Sequence, residues 1–205
     1  MDPALAKSAL EGGLQAVIEA EHDVTKYDTI VGDGDCGIGL KRGAEAVLKL
    51  LESPKTSDIK DAALFLDQII SVVETSMDGT SGALYAIYLN ALASGLRTQT
   101  GQQHASTQVW AHAAKHALQS MAKYTPAKPG DRTLVDALAP FVETLEKTSD
   151  VKQAAEAAEH GSDKTKGMNA SLGRTVYIGG QGWQDVPDPG AYGLAQFFKG
   201  FAEKF

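Results

Sequence analysis

Ile59, Ala62, Ala63, Leu66, Ile69, Ile70 and Val73 recur at the three-and-four spacing of a helix that turns one face to a core. Asp58 is placed to cap that helix. The same pattern, less sharply drawn, predicts helices over about 4–21, 37–52, 82–96, 106–124, 132–147, 151–170 and 189–204, eight in all. Between them stand turn-forming residues: Gly32-Asp33-Gly34-Asp35, Ser53-Pro54, Asp78-Gly79, Gly101, Pro129-Gly130-Asp131 and the glycine-rich stretch 179–190. The last helix starts well, with Asp188 as N-cap and Pro189 at the first helical position, where a missing N–H is harmless. Pro140 falls inside the 132–147 pattern and should kink it.

Composition agrees with an all-α chain. There are thirty alanines and few runs of β-branched residues, and alanine loses no side-chain entropy in a helix. At 205 residues and 43% hydrophobic, the chain suits one domain, 1–205, with a substantial core. Nineteen Lys and Arg against 26 Asp and Glu leave a net charge of −7, which supplies no basic footprint for nucleic acid. No run approaches the roughly 18 apolar residues of a membrane span, and Met1 opens onto Asp2-Pro3 rather than a basic and apolar leader. A cytoplasmic chain without a membrane partner is expected. The single cysteine, Cys36, cannot form an internal disulfide, and no cluster of structural zinc ligands is present.

The densest chemical signal lies between Asp28 and Gly37, where Asp28, Asp33 and Asp35 fall within eight residues among three glycines. Carboxylates this close repel unless some are protonated or a hard, oxygen-preferring cation sits among them, and Mg²⁺ suits that role. The plainer reading is a surface turn whose aspartates cap the next helix. Gly32, Gly34 and Gly37 also spell a dinucleotide-binding glycine string. That motif needs a preceding strand and a parallel sheet, and Asp33 and Asp35 would repel a bare phosphate. An EF-hand fails as well, because Ile38 and Ala44 stand where its glycine and bidentate acid belong.

A second cluster, Met77 to Tyr85, sets Gly79, Thr80, Ser81 and Gly82 at the start of an apolar helix. There the unpaired N–H groups and the dipole favour an anion, although an ordinary N-cap explains the same residues. Segments 128–140, 167–177 and 187–191 are weak alone, with Arg174 the one guanidinium of note. No Walker-type phosphate loop occurs, so a bound phosphate would depend on metal and backbone N–H groups.

In this order GDGDCG (32–37), MDGTSGALY (77–85), GDRTLVDALAP (130–140), GR-x-x-Y (173–177) and PDPGA (187–191) closely resemble the nucleotide-binding domain of dihydroxyacetone kinases, over nearly the whole chain. The resemblance implies an eight-helix antiparallel barrel whose loops at one end bind ATP or ADP through Mg²⁺. It implies Asp28, Asp33 and Asp35 as metal ligands, and Cys36, Gly37, Ile38, Gly39, Gly79, Thr80, Ser81, Gly82, Leu134, Arg174, Asp188, Pro189 and Gly190 as the nucleotide site. It implies no catalytic residue on this chain. The phosphate acceptor, dihydroxyacetone or a related short-chain ketose or aldose, would sit on a partner kinase domain, where a histidine forms a covalent hemiaminal. This length leaves no room for that domain, and a homodimer would form through the full-length protein. Cys36, where the phosphotransfer branch of the family has histidine, favours the ATP-dependent branch over an ADP-carrying subunit or a regulatory nucleotide-binding module. His22, His104, His112, His116 and His160 are not recruited. His112 and His116 share a helix face without the glutamate of a zinc motif and read as surface or interhelical residues.

Overall fold

The computed structural model describes residues 3–53, 61–98, 105–173, 176 and 182–205. Among these there is no strand. The α-helices are α1 (Pro3–Glu19), α2 (Glu21–Val31), α3 (Cys36–Leu51), α4 (Ala62–Ser76), α5 (Gly79–Thr98), α6 (Thr107–Met121), α7 (Val135–Thr148), α8 (Val151–Lys164) and α9 (Pro189–Ala202). A 3₁₀ turn at Trp183–Asp185 precedes the last.

The expected first helix therefore does not stop at 21. Ala20 interrupts it only briefly, since its N–H still donates to Ala16 O and its own carbonyl accepts from Val24, both at 3.0 Å. Counting α1 and α2 as one broken stave leaves eight staves among the described residues. Each packs on the next in chain order, and α9 returns to α1, so the ring closes. Alanine and glycine allow that closure: a Cβ on Gly12 would lie 2.6 Å from the carbonyl oxygen of Gly200. Ion pairs stitch neighbouring staves on the outside, Arg97 with Asp67, Lys115 with Glu146 at 2.6 Å and Lys199 with Glu159 at 3.6 Å. Each adds at most about 1 kcal/mol. The inward faces follow helical spacing, as in Ala63, Leu66, Ile69, Ile70 and Val73 of α4. They surround an apolar cavity of about 310 Å³ whose walls include Leu14, Val47, Ile69, Trp110 and Phe198.

Several expected boundaries shift for local reasons. Asp58 and Ile59 lie outside the described residues, and α4 is capped by Asp61, whose Oδ1 accepts from Ala63 and Leu64 N–H at 2.8 and 3.0 Å. The 82–96 helix begins earlier, at Gly79, and the 106–124 helix ends at Met121. The 132–147 helix begins only at Val135, because Arg132 holds a left-handed φ of 61°. The 151–170 helix ends at Lys164; Gly167, with φ 73°, turns the chain away. No described helix is long and apolar enough to cross a membrane.

Candidate functional site

Consecutive staves pack as neighbours and the chain reverses between them, so alternate connections share an end of the ring. Residues 32–35, 77–78 and 122–134, with the described residues 165–173, 176 and 182–188, lie between staves one and two, three and four, five and six, and seven and eight, and so gather at one end. Every motif singled out in the sequence lies in or beside one of them.

Asp28 belongs to the last turn of α2, not to the loop as expected, and it is buried. Its backbone carbonyl accepts from Gly32 N–H at 2.5 Å, and its Oδ2 accepts the N–H of Cys36 at 3.0 Å. Gly34, at φ 80°, lets four residues reverse the chain and present Asp33 and Asp35 on the exposed side. One carboxylate oxygen from each of the three lies within 4.8 Å of the other two. Asp35 occupies the N-cap position of α3 yet makes no side-chain capping bond. Capping thus fails to explain its presence, whereas a divalent cation with oxygen ligands would relieve the mutual repulsion. Burial, then Asp28, Asp188 and Asp35, push the Cys36 thiol up to about 12, so it stays neutral and unreactive.

Gly37 is buried against α2, where a Cβ would lie 2.5 Å from Glu21 O and 2.8 Å from Thr25 N. Its lack of a side chain is therefore explained by helix packing. Ile38 is exposed and Gly39 opens outward, with nothing within 4 Å of where a Cβ would stand. The neighbouring connection is fixed by Arg42 of α3, whose Nε donates to Ser76 O at 2.6 Å and whose Nη2 donates to Asp78 Oδ2 at 2.5 Å. Met77 also lies on Gly43 of α3, where a Cβ would sit 2.6 Å from its sulfur. These contacts set the first turn of α5, with Gly79, exposed Thr80, Ser81 and buried Gly82, at the end of the ring that carries the aspartates. Its leading N–H groups and positive dipole end suit a phosphate.

The other two connections are joined through Arg132, a residue to which the sequence assigned no role. It is 1% exposed. Its Nε donates to Thr165 O at 3.2 Å, and its Nη2 donates to Trp183 O at 3.1 Å and Val186 O at 2.9 Å. Asp136 fixes the turn beneath it, accepting from Gly130 N–H at 2.6 Å and Thr133 N–H at 2.8 Å. Ser171 Oγ donates to Asp131 Oδ1 at 2.8 Å, a second tie between the same connections. Leu134 is thereby brought against Gly190, where a Cβ would lie 3.5 Å from Leu134 Cβ. Asp188 caps α9 as expected, accepting from Ala191 N–H at 2.8 Å, with Pro189 at the first helical position. Arg174 lies outside the described residues. His112 and His116 are both exposed.

Burial raises the Asp188 carboxyl to about 7, with Asp136 and Asp28 adding to the rise and the Ala191 N–H and Arg132 opposing it. A folded-state value above the unfolded one favours folding at low pH. The contribution is fully present below the unfolded value of 3.8 and is lost as pH rises through 7. The slope from this group is at most about 1.4 kcal/mol per pH unit. Asp188→Asn keeps an oxygen for the cap and loses the titration. In metal-free buffer the variant should therefore be more stable than the parent at pH 8, with a flatter pH dependence between 4 and 7. Parallel stability curves in urea titrations across that range would contradict this.

A ring of helices among the described residues, with a carboxylate cluster and the N-termini of α3, α5, α7 and α9 at one end, is the class of structure these facts define. Residues 30–203 match the DAK2 domain, and the chain belongs to that family. It is 43% identical to a dihydroxyacetone kinase of Pichia angusta, an alignment covering 97% of this chain and 34% of that protein. The crystal structure of the native dihydroxyacetone kinase of C. freundii superposes on the whole chain with a TM-score of 0.81 and 26% identity, using 35% of its own length. The crystal structure of the C. freundii enzyme with AMP-PNP and Mg²⁺ also covers the whole chain and 34% of its own, with a TM-score of 0.79 and 27% identity. The chain thus spans about a third of the length of the relatives it matches.

Proposed function

We propose that this chain is the Mg²⁺-ATP-binding domain of a cytoplasmic dihydroxyacetone kinase. It would present the γ-phosphate to dihydroxyacetone, or a related short-chain ketose or aldose, held by a partner kinase domain. The observation that carries this is the convergence of Asp28, Asp33 and Asp35 within 4.8 Å, with Asp35 left out of capping, at the end of the ring where α5 also begins. Three carboxylates fit one or two Mg²⁺ ions, which when bound would neutralise charge on the phosphate tail. The similar C. freundii kinase, crystallised in complex with AMP-PNP and Mg²⁺, supports the same ligands here.

The chain's own residues position and stabilise. Phosphoryl transfer asks little covalent chemistry of a protein beyond placing the donor and meeting the charge that spreads over the transferred group. The N–H groups of Gly79 to Ser81 and the hydroxyls of Thr80 and Ser81 would meet phosphate oxygens, with Gly82 keeping the turn narrow, and Cys36 to Gly39 would bring the α3 N-terminus to the same group. Leu134 and Asp188 to Gly190 would flank the nucleoside, with Arg174 contributing charge. The group that takes the acceptor's proton would come from the partner domain.

Mixing the chain with a dihydroxyacetone-binding domain, ATP, Mg²⁺ and dihydroxyacetone should yield dihydroxyacetone phosphate and ADP. Nucleotide binding without product, partner supplied, would instead indicate an ADP carrier or a regulatory module.

A further inference from the structure

We propose that Arg132 is a positioning residue for the nucleotide: without touching the ligand, it holds Leu134 against the Asp188-Pro189-Gly190 turn and so places the surface on which the base would rest. The inference rests on the nucleotide reading above and adds a residue to it. Arg132 stands two positions before Leu134, on one side of that contact, and its guanidinium grips the segments that lead to the other side. Thr165, at the end of α8, and Trp183 and Val186, just before α9, are the two ends of the long connection between those helices. Arg132 draws both ends together. Thr165 passes the constraint on, because its Oγ1 donates to Ser162 O at 2.5 Å and accepts the N–H of Asp188 at 2.7 Å. Asp188 then fixes the start of α9, on which Gly190 faces Leu134.

The geometry is ill suited to stability alone. Arg132 adopts a left-handed φ of 61°, unfavourable for a side chain with a Cβ, and its hydrogen bonds run to neutral carbonyls. Among the described residues its buried Nη1 has no hydrogen-bond partner. The Trp183 ring lies 5.6 Å from the guanidinium carbon and shields it further. Backbone strain and an unsatisfied buried donor are kept where the surroundings enforce them, commonly at ligand sites. A planar fork meets the two segments with separate nitrogens held at a fixed spacing, whereas a lysine ammonium has one nitrogen on a flexible stem.

The placement of that surface matters to a base and not to a bare phosphate chain. The test is therefore calorimetric titration of the 205-residue chain and of Arg132→Lys with Mg²⁺-ATP and with Mg²⁺-tripolyphosphate. Arg132→Lys should bind Mg²⁺-ATP about tenfold or more weakly and Mg²⁺-tripolyphosphate within about twofold of the parent. Unchanged ATP affinity, or equal losses with both ligands, overturns the proposal while leaving the nucleotide reading intact. Failure of the parent to bind Mg²⁺-ATP overturns both. Should the lysine variant not fold, hydrogen exchange on the parent decides. Amides of Leu134 and of residues 183–190 should gain protection with Mg²⁺-ATP but not with Mg²⁺-tripolyphosphate, and equal protection by both overturns the proposal.

Discussion

Asp33→Asn and Asp35→Asn should each weaken Mg²⁺-dependent ATP binding by roughly 30- to 1,000-fold, the equivalent of about 2–4 kcal/mol for removing one charged partner from a close cluster. Neither change should harm the fold. Both side chains are exposed on a four-residue connection, and Asp35 makes no capping bond. Without metal, three carboxylates within 4.8 Å oppose one another, so removing one charge should leave the melting temperature unchanged or higher in EDTA. Asp28→Asn is a less clean probe, because Asp28 is buried and accepts the first N–H of α3. Calorimetry for affinity and circular dichroism for melting separate the two effects. ATP affinity unchanged in both variants would remove the metal assignment.

Gly161→Ala should lower the melting temperature by roughly 5 °C or more, from about 2 kcal/mol of overpacking at 2–4 °C per kcal/mol in a chain this size. The cause lies in α7. Pro140 has no N–H, so the carbonyl of Asp136 four residues earlier loses its usual helical donor. Gly161 of α8 sits directly over that oxygen, and a Cβ there would collide with it and approach Pro140 Cγ to 3.1 Å. A backbone oxygen cannot swing aside as a side chain can. The strain would also reach the site, since the Asp136 carboxylate holds Gly130 and Thr133 in the turn that precedes Leu134. Gly39→Ala is the control: nothing lies within 4 Å of its added carbon, and replacing a helical glycine by alanine should stabilise by up to about 1 kcal/mol. If Gly161→Ala melts within about 1 °C of the parent, the close contact does not constrain the fold.

Most of the helical layout was legible because alanine content and apolar spacing agree along each stave. α2 was missed for a physical reason. Its buried positions are Val24, Asp28 and Val31, so one of the three carries a carboxylate and the apolar stripe breaks there. That residue is the one the site requires, and it explains why Asp28 read as part of a loop. Ring closure was equally hidden, since Gly12 and Gly200 gain meaning only when α1 and α9 meet. The barrel came instead from the family resemblance. The aspartates and the Thr80-Ser81 turn stood out because charge and glycine crowd there without an apolar pattern. Arg132 did not, because an arginine in a Gly-Asp-Arg-Thr turn reads as an exposed charge. Only the carbonyls of Thr165, Trp183 and Val186, 33 to 54 residues away, reveal that it faces inward.

The most direct measurement is a calorimetric titration of the chain with ATP, once in EDTA and once in excess Mg²⁺. Expected is saturable binding that requires the metal and is lost on chelation. No binding in Mg²⁺, or the same affinity in both buffers, would mean that Asp28, Asp33 and Asp35 do not hold a cation against a nucleotide.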